Sequence, residues 1–148
     1  MGVIDNNIIF LKEILERIER GKGSNFTGIG ILLYKDISTI PYSPLRRTLP
    51  PDLRLPVENI GQIVDALISI NQSDSQFHDG FHLMSDVKKL THICCYFSPP
   101  IAGNGEIEYE FGGRYRAAYY GSYLSGVSGI GVIGSNYGPT IFSKGKKL

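Results

Sequence analysis

Two short stretches hold the residues best suited to chemistry. At His78-Asp79-Gly80-Phe81 a carboxylate is followed by a glycine and then by an apolar run. At Gly112-Gly113-Arg114-Tyr115-Arg116 two guanidinium groups follow a pair of glycines. Arginine presents a planar fork of donors that matches phosphate oxygens. This second stretch opens a predicted helix, and the free N–H groups of a helix start attract anions. Cations at that end oppose the helix dipole, so the two arginines there point to a phosphate-bearing ligand. Plainer readings of the same residues stand beside these. Asp-Gly is a common turn dipeptide, and arginines at a helix start are also ordinary surface residues. His78 and His82 have a spacing that suits metal only on a helix. They straddle a predicted strand start, so one half-buried and one exposed histidine are expected. His92 is expected to pack within its strand.

Other candidate motifs fail on spacing or context. Gly126-Val127-Ser128-Gly129 is one residue short of the Gly-x-Ser-x-Gly nucleophile elbow. Gly28-Ile29-Gly30 lies inside a predicted strand, not between a strand and a helix, which argues against a dinucleotide fingerprint.

The elements that must position these residues can be read from periodicity. Ile8, Leu11, Leu15 and Ile18 recur at helical spacing, with Asp5 or Asn6 as cap and Gly21 or Gly23 as stop. Residues 27–34 form a short apolar run that reads as a buried strand. Five prolines between 36 and 56 predict an extended surface loop. Ile60, Ile63, Val64, Leu67 and Ile68 mark a second amphipathic helix, followed by a polar loop over 71–75. Residues 80–85 and 90–97 read as two strands around a tight turn at 86–89. Residues 106–111 alternate and fit either a short edge strand or a loop. A helix is predicted over 114–123. Strands over 127–134 and 140–143 close the chain, joined by 135–138, and the basic residues 144–147 read as a solvated tail. This order predicts an α/β (α+β) fold, a mixed central sheet flanked by helices.

Composition bounds the function. The chain has 148 residues, the length of one typical domain, and no composition shift or repeat divides it, so 1–148 is read as a single domain. Fifteen Lys and Arg against fourteen Asp and Glu give a net charge of +1, which gives no reason to expect a nucleic acid or a membrane as partner. No apolar run reaches the roughly 18 residues of a membrane span, and the start lacks the order of a secretory signal. Cys94 and Cys95 are adjacent, which suits neither a disulfide nor a zinc site. They read as small core residues of a reducing compartment, so a cytoplasmic location is expected.

Three stretches in order resemble the diadenylate cyclase (DisA-type, DAC) domain family. Residues 75–81 are similar to its His-Asp-Gly-Ala turn. Residues 112–118 are similar to its Gly-Thr-Arg-His-Arg-Ala-Ala segment. Residues 130–146 are similar to its closing hairpin, where a Ser-Glu-Glu-x-Gly turn joins two strands. The 90–99 strand, with Cys95 and Pro99, fits as well. The resemblance is specific in these motifs and is one of element type alone before about residue 60.

That resemblance implies a DAC-like nucleotide domain that condenses two ATP molecules into cyclic di-AMP between two facing subunits, with Mg²⁺ or Mn²⁺ as cofactor. Phosphoryl transfer needs the metal to neutralise charge and the two groups held in line. Carried over residue by residue, Asp79 is the metal ligand and the catalytic orienter of the hydroxyl. Gly80 and Phe81 complete its turn. Gly113, Arg114, Tyr115 and Arg116 form the phosphate-binding segment, and Ser135 and Asn136 stand in the last turn. The sequence departs from the pattern at four places. Tyr115 replaces a histidine, Gly113 replaces a threonine, Gly134-Ser135-Asn136-Tyr137-Gly138 lacks both acidic residues, and Gly129 stands near the position of an aspartate. A phenol seldom binds metal, so Asp79 is left as the one metal ligand carried over. The arginines and glycines that a binding site needs remain. The expectation is therefore a module that binds ATP or a cyclic dinucleotide, a sensor without turnover. The alternative is an active diadenylate cyclase with an altered metal site. A sensor of this size needs a separate effector protein, and a homo-oligomer is compatible with either reading. Among Tyr119, Tyr120 and Tyr123, packing is the expected role, with one ring able to stack on an adenine.

Overall fold

The computed structural model describes residues 5–148. The first helix, α1 (Asn6–Gly21), starts where the Asp5 carboxylate accepts a hydrogen bond from the Asn7 N–H at 2.9 Å. Its apolar stripe, Leu11, Ile14, Leu15 and Ile18, is buried. The second, α2 (Ile60–Ile70), is capped by the Asn59 side chain and buries Ile63, Val64, Leu67 and Ile70. The third, α3 (Gly112–Gly121), has no side-chain cap and buries Tyr115, Ala118, Tyr119 and Gly121.

Among the described residues the sheet has seven strands: β1 (Ile29–Tyr34), β2 (Tyr42–Pro44), β3 (Phe81–Ser85), β4 (Lys89–Phe97), β5 (Val127–Ile133), β6 (Thr140–Ser143) and β7 (Lys146–Lys147). Their order across the sheet is β2-β4-β3-β1-β5-β6-β7. The β1–β3 pair is parallel and the other pairs are antiparallel. All six residues of β1 are buried, as expected of a central strand covered on both faces. Its side chains alternate between two cores. Ile29, Ile31 and Leu33 join the residues of α1 and α2, while Leu32 and Tyr34 join those of α3. The predicted mixed sheet flanked by helices is therefore the observed fold. Among the described residues no helix is long and apolar enough to cross a membrane.

Three expectations are corrected. The 36–56 stretch is not all loop: a turn of 3₁₀ helix (Ile37–Thr39) precedes β2, which pairs with the outer edge of β4. The basic tail is not free, because β7 pairs with β6, Phe142 opposite Lys147. The two histidines are also more buried than expected. His82 is wholly enclosed and His78 is half-buried. A histidine on a strand packed on both faces has no exposed side to take. The 106–111 stretch, left between edge strand and loop, is loop, with Ile107 anchored in the core. Gly129 lies in β5 facing α1, where a Cβ would come 2.7 Å from Ile8 Cδ1, so close helix packing accounts for glycine there.

Candidate functional site

Strand directions bring the chemistry to one end of the sheet. Ile31 pairs with His82 in the parallel ladder, and Ile29 pairs with Ile133 in the antiparallel one. The starts of β1 and β3 and the end of β5 therefore lie side by side, with the start of α3 beside them. Gly28, Gly80 and Gly134 stand at these three strand ends. Two of them need glycine for backbone reasons. Gly28 has φ +117°, and a Cβ there would sit 2.9 Å from the Ile133 carbonyl oxygen and 3.0 Å from Arg114 Nη1. Gly80 has φ +76°, and a Cβ would collide with the Cys95 carbonyl oxygen.

The turn bearing Asp79 is tied down from three directions. The Phe77 N–H donates to Ser75 Oγ at 3.1 Å. Arg46 Nε donates to the Gln76 carbonyl at 2.8 Å. Arg114 Nη2 donates to the His78 carbonyl at 3.0 Å. The Asp79 carboxylate itself is left outward, with 58% of its side chain exposed, 3.4 Å from His78 Nδ1. Burial lowers the Arg114 pKa from its ordinary value, while Tyr137 and then Asp79 pull the other way. Arg114 thus holds the turn and sets a positive charge beside Asp79.

A buried polar link lies behind this turn. His82 Nδ1 accepts the Cys94 N–H at 3.0 Å, so the ring proton sits on Nε2 and is donated to Asn71 Oδ1 at 3.3 Å. Asn71 Nδ2 then donates to the Leu67 carbonyl at 2.7 Å, closing the end of α2. Burial first, and the charge of Arg114 second, push the His82 pKa down to about 3, so the ring is neutral. Its bond holds Cys94 at φ +53°, inside an irregular stretch of the β3–β4 ladder. That irregularity aims the Cys95 carbonyl at Gly80. Burial also raises both cysteine pKa values, that of Cys95 to about 12, which leaves them as thiols.

Of the other sequence-derived candidates, Arg116, Tyr115 and Phe81 turn away from this group, while Gly113, Ser135 and Asn136 stay at its rim. Arg114 and Arg116 are two apart on a helix and so leave it on different sides. Arg116 lies 4.0 Å over the Tyr109 ring and donates from Nη1 to Tyr120 OH at 2.7 Å; its Nη2 is buried without a partner. Tyr115 is fully buried against Phe111, Tyr137 and Phe142, and its hydroxyl donates to Glu108 Oε2 at 2.9 Å. Burial leads and the Glu108 contact follows in raising its pKa. Phe81 is core, edge-on to Phe97 at 5.3 Å. Gly113 is exposed, with open space around it. Ser135 is exposed, and Asn136 Nδ2 donates to the Glu110 carbonyl at 3.3 Å. Asp79, Gly80 and Arg114 are therefore gathered together. Gly28, Gly134 and Tyr137 join them; the sequence marked Tyr137 as a turn residue able to contact a base or ribose, and did not mark the two glycines. A glycine immediately before an apolar strand was the available signal for Gly28.

A second group was missed altogether. Glu108 bridges Tyr115 and Lys147, whose Nζ lies 3.1 Å from Glu108 Oε1. These two charges frame a cleft of about 540 Å³ between α3, the β6–β7 hairpin and the 104–108 segment. Among the described residues, no group of three or more His, Cys, Asp or Glu side chains is placed to hold a metal ion.

No family model matches the chain, and no curated protein matches it in sequence. Solved structures match it in shape. A double mutant of DacA from Staphylococcus aureus superposes with a TM-score of 0.62 at 15% identity, over 97% of this chain and 87% of that one. A hypothetical membrane spanning protein from Bacillus cereus gives 0.61 at 19% identity, over 95% of this chain and 59% of that one. The chain shares their fold, a diadenylate-cyclase-like arrangement of sheet and helices.

Proposed function

We propose that the chain binds an adenine nucleotide, ATP or a cyclic dinucleotide, at the Asp79–Arg114 end of the sheet, and that it does so without turnover. The observation that carries this reading is that the Arg114 guanidinium, and not a second carboxylate, is fixed on the turn that bears Asp79. Arg114 Nη2 is fixed on the His78 carbonyl, which sets a guanidinium beside the Asp79 turn. Exposed Gly112 and Gly113 at the start of α3 leave backbone N–H groups open to an anion. A guanidinium and free amides suit phosphate oxygens. One carboxylate with a neighbouring imidazole and guanidinium is a poor set for a divalent cation, which takes several hard oxygen ligands. The DacA-like fold supports adenine nucleotides as the class to try. A sensing role implies a separate effector protein.

The test is calorimetric titration with ATP and with cyclic di-AMP, alongside mass spectrometry of ATP incubations with Mn²⁺ or Mg²⁺. Binding without product is expected. Arg114→Ala should weaken it at least about tenfold, the loss of one charge-assisted contact, with the melting curve of each variant as the folding control. Cyclic di-AMP that accumulates and is lost in Asp79→Ala would replace this reading with an active cyclase. Failure to bind either nucleotide would end both.

A further inference from the structure

We infer that His82 is a positioning residue for the ligand of the Asp79 turn: its ring completes a bulge in β4, and that bulge holds the turn at both ends. The identity of the ligand rests on the nucleotide reading, while the positioning rests on the sheet alone.

The β3–β4 ladder shifts register beside His82. Phe81 lies opposite Cys95 and Leu83 opposite His92, so Ile93 and Cys94 together face the single residue His82. Both of their side chains enter the core under α1 and α2, although neighbours on a regular strand point to opposite faces. A bulge leaves a backbone group without a ladder partner, and a buried N–H needs an acceptor. The Cys94 N–H finds it in His82 Nδ1 at 3.0 Å. The flanking β3 residues Phe81, Leu83 and Met84 have no nitrogen or oxygen in their side chains to offer instead.

Two connections run from the bulge to the turn. The Cys94 carbonyl accepts the Leu45 N–H at 3.0 Å, and the next residue, Arg46, donates from Nε to the Gln76 carbonyl at 2.8 Å. The Cys95 carbonyl lies against Gly80, and a Cβ on Gly80 would also come 2.9 Å from Leu45 Cδ1. Gln76 and Gly80 stand on either side of Asp79 in the chain. A third connection leaves from the other ring nitrogen. His82 Nε2 bonds Asn71 Oδ1 at 3.3 Å, and the Asn71 carbonyl accepts the Thr27 N–H at 3.1 Å, next to the Gly28 that lies against Arg114. One ring thus ties together the segments that carry the carboxylate and border the guanidinium.

Two variants separate the two ring nitrogens. Asn places an acceptor where Nδ1 stands and gives up the bond to Asn71. Gln reaches the Nε2 position and leaves the Cys94 N–H without an acceptor. Asn is the smaller side chain and opens the larger gap, so a histidine that only filled space would make His82→Asn the worse variant in every respect. The opposite order is expected at the site. In calorimetric titration with ATP and cyclic di-AMP, His82→Gln should weaken binding at least about fivefold, while His82→Asn stays within about twofold of the unchanged protein. NMR without nucleotide should show the Cys94 amide exchanging faster and the Gly80 amide displaced in His82→Gln, and both near their original state in His82→Asn. Affinity unchanged in His82→Gln, or His82→Asn binding no better than His82→Gln, would overturn the inference. Should melting curves show His82→Gln unfolded, His82→Asn decides alone, and a loss there of more than about tenfold would be fatal. If the unchanged protein binds neither nucleotide, the nucleotide reading ends, and the amide measurements judge the positioning separately: a Cys94 amide as slow in His82→Gln as before would refute it.

Discussion

The two faces of the sheet are built from different residues, and they do different work. The face under α1 and α2 is aliphatic: Leu11, Ile14, Leu15, Ile18, Ile63 and Leu67 close over Ile29, Ile31 and Leu33. The face under α3 is aromatic, with Phe81, Phe97, Tyr115, Tyr119 and Phe142 in contact. Aliphatic side chains have no polar end, so that core can be sealed. A buried tyrosine brings a hydroxyl that must find a partner. Each of these hydroxyls draws a polar group inward: Glu108 for Tyr115, Asn104 and Tyr123 for Tyr119. The aromatic face thus draws polar groups into the core, and the cleft of about 540 Å³ lies there; the aliphatic side has its own opening, about 380 Å³ beside α1, lined by Ile8, Leu15 and Ile141. The aliphatic face supplies the rigidity against which those polar groups are held.

This contrast can be broken or sharpened by measurement. The largest effect belongs to the aliphatic face. Leu15→Ala should cost about 2–5 kcal/mol in urea denaturation, because α1 is pinned to the sheet and cannot collapse into the gap. A loss under about 1 kcal/mol would mean that this face is no better packed than the other. Next comes the buried link of His82 to Asn71 on that side. The pKa of His82 is depressed in the folded state to about 3, so between there and its unfolded value near 6.5 the unfolded chain binds the extra proton. Its contribution is fully present above pH 6.5 and falls by about 1.4 kcal/mol for each unit below. Denaturation midpoints from pH 7 to pH 4 would reveal it, and a stability flat over that window would show His82 to be solvated. The smallest effect belongs to the aromatic face. Tyr115→Phe keeps the ring and removes only the bond to Glu108, which Lys147 still contacts. A cost of about 1–2 kcal/mol is expected, and a cost equal to that of Leu15→Ala would erase the distinction.

The sequence revealed elements wherever periodicity outlasted a turn or two. Leu11 to Ile18 and Ile60 to Ile68 announced their helices, and the runs ending at Tyr34 and Ser85 announced their strands. The edges escaped, since Tyr42–Pro44 and Lys146–Lys147 are strands only because β4 and β6 offer them partners. At the site, Asp79 and Arg114 were legible as residues, and it was the family resemblance, not their spacing, that put them in one place. The spacing of Arg114 and Arg116 already contained their separation, because side chains two apart on a helix cannot serve one point. The cleft left no local trace at all. Glu108 and Lys147 meet only after a loop and a terminal hairpin have been laid against α3.

The pairing of β1 has a consequence during synthesis. This strand, apolar throughout, lies early in the chain, yet its neighbours are β3 and β5, so Ile29 must wait for Ile133 to leave the ribosome. One edge can be closed once β3 has followed, but the other stays open until then, a template for pairing with another chain. Contacts so distant in sequence also slow the search for the native arrangement. The edge of β1 that faces β5 is thus the last of the central strand to be covered as the chain is made.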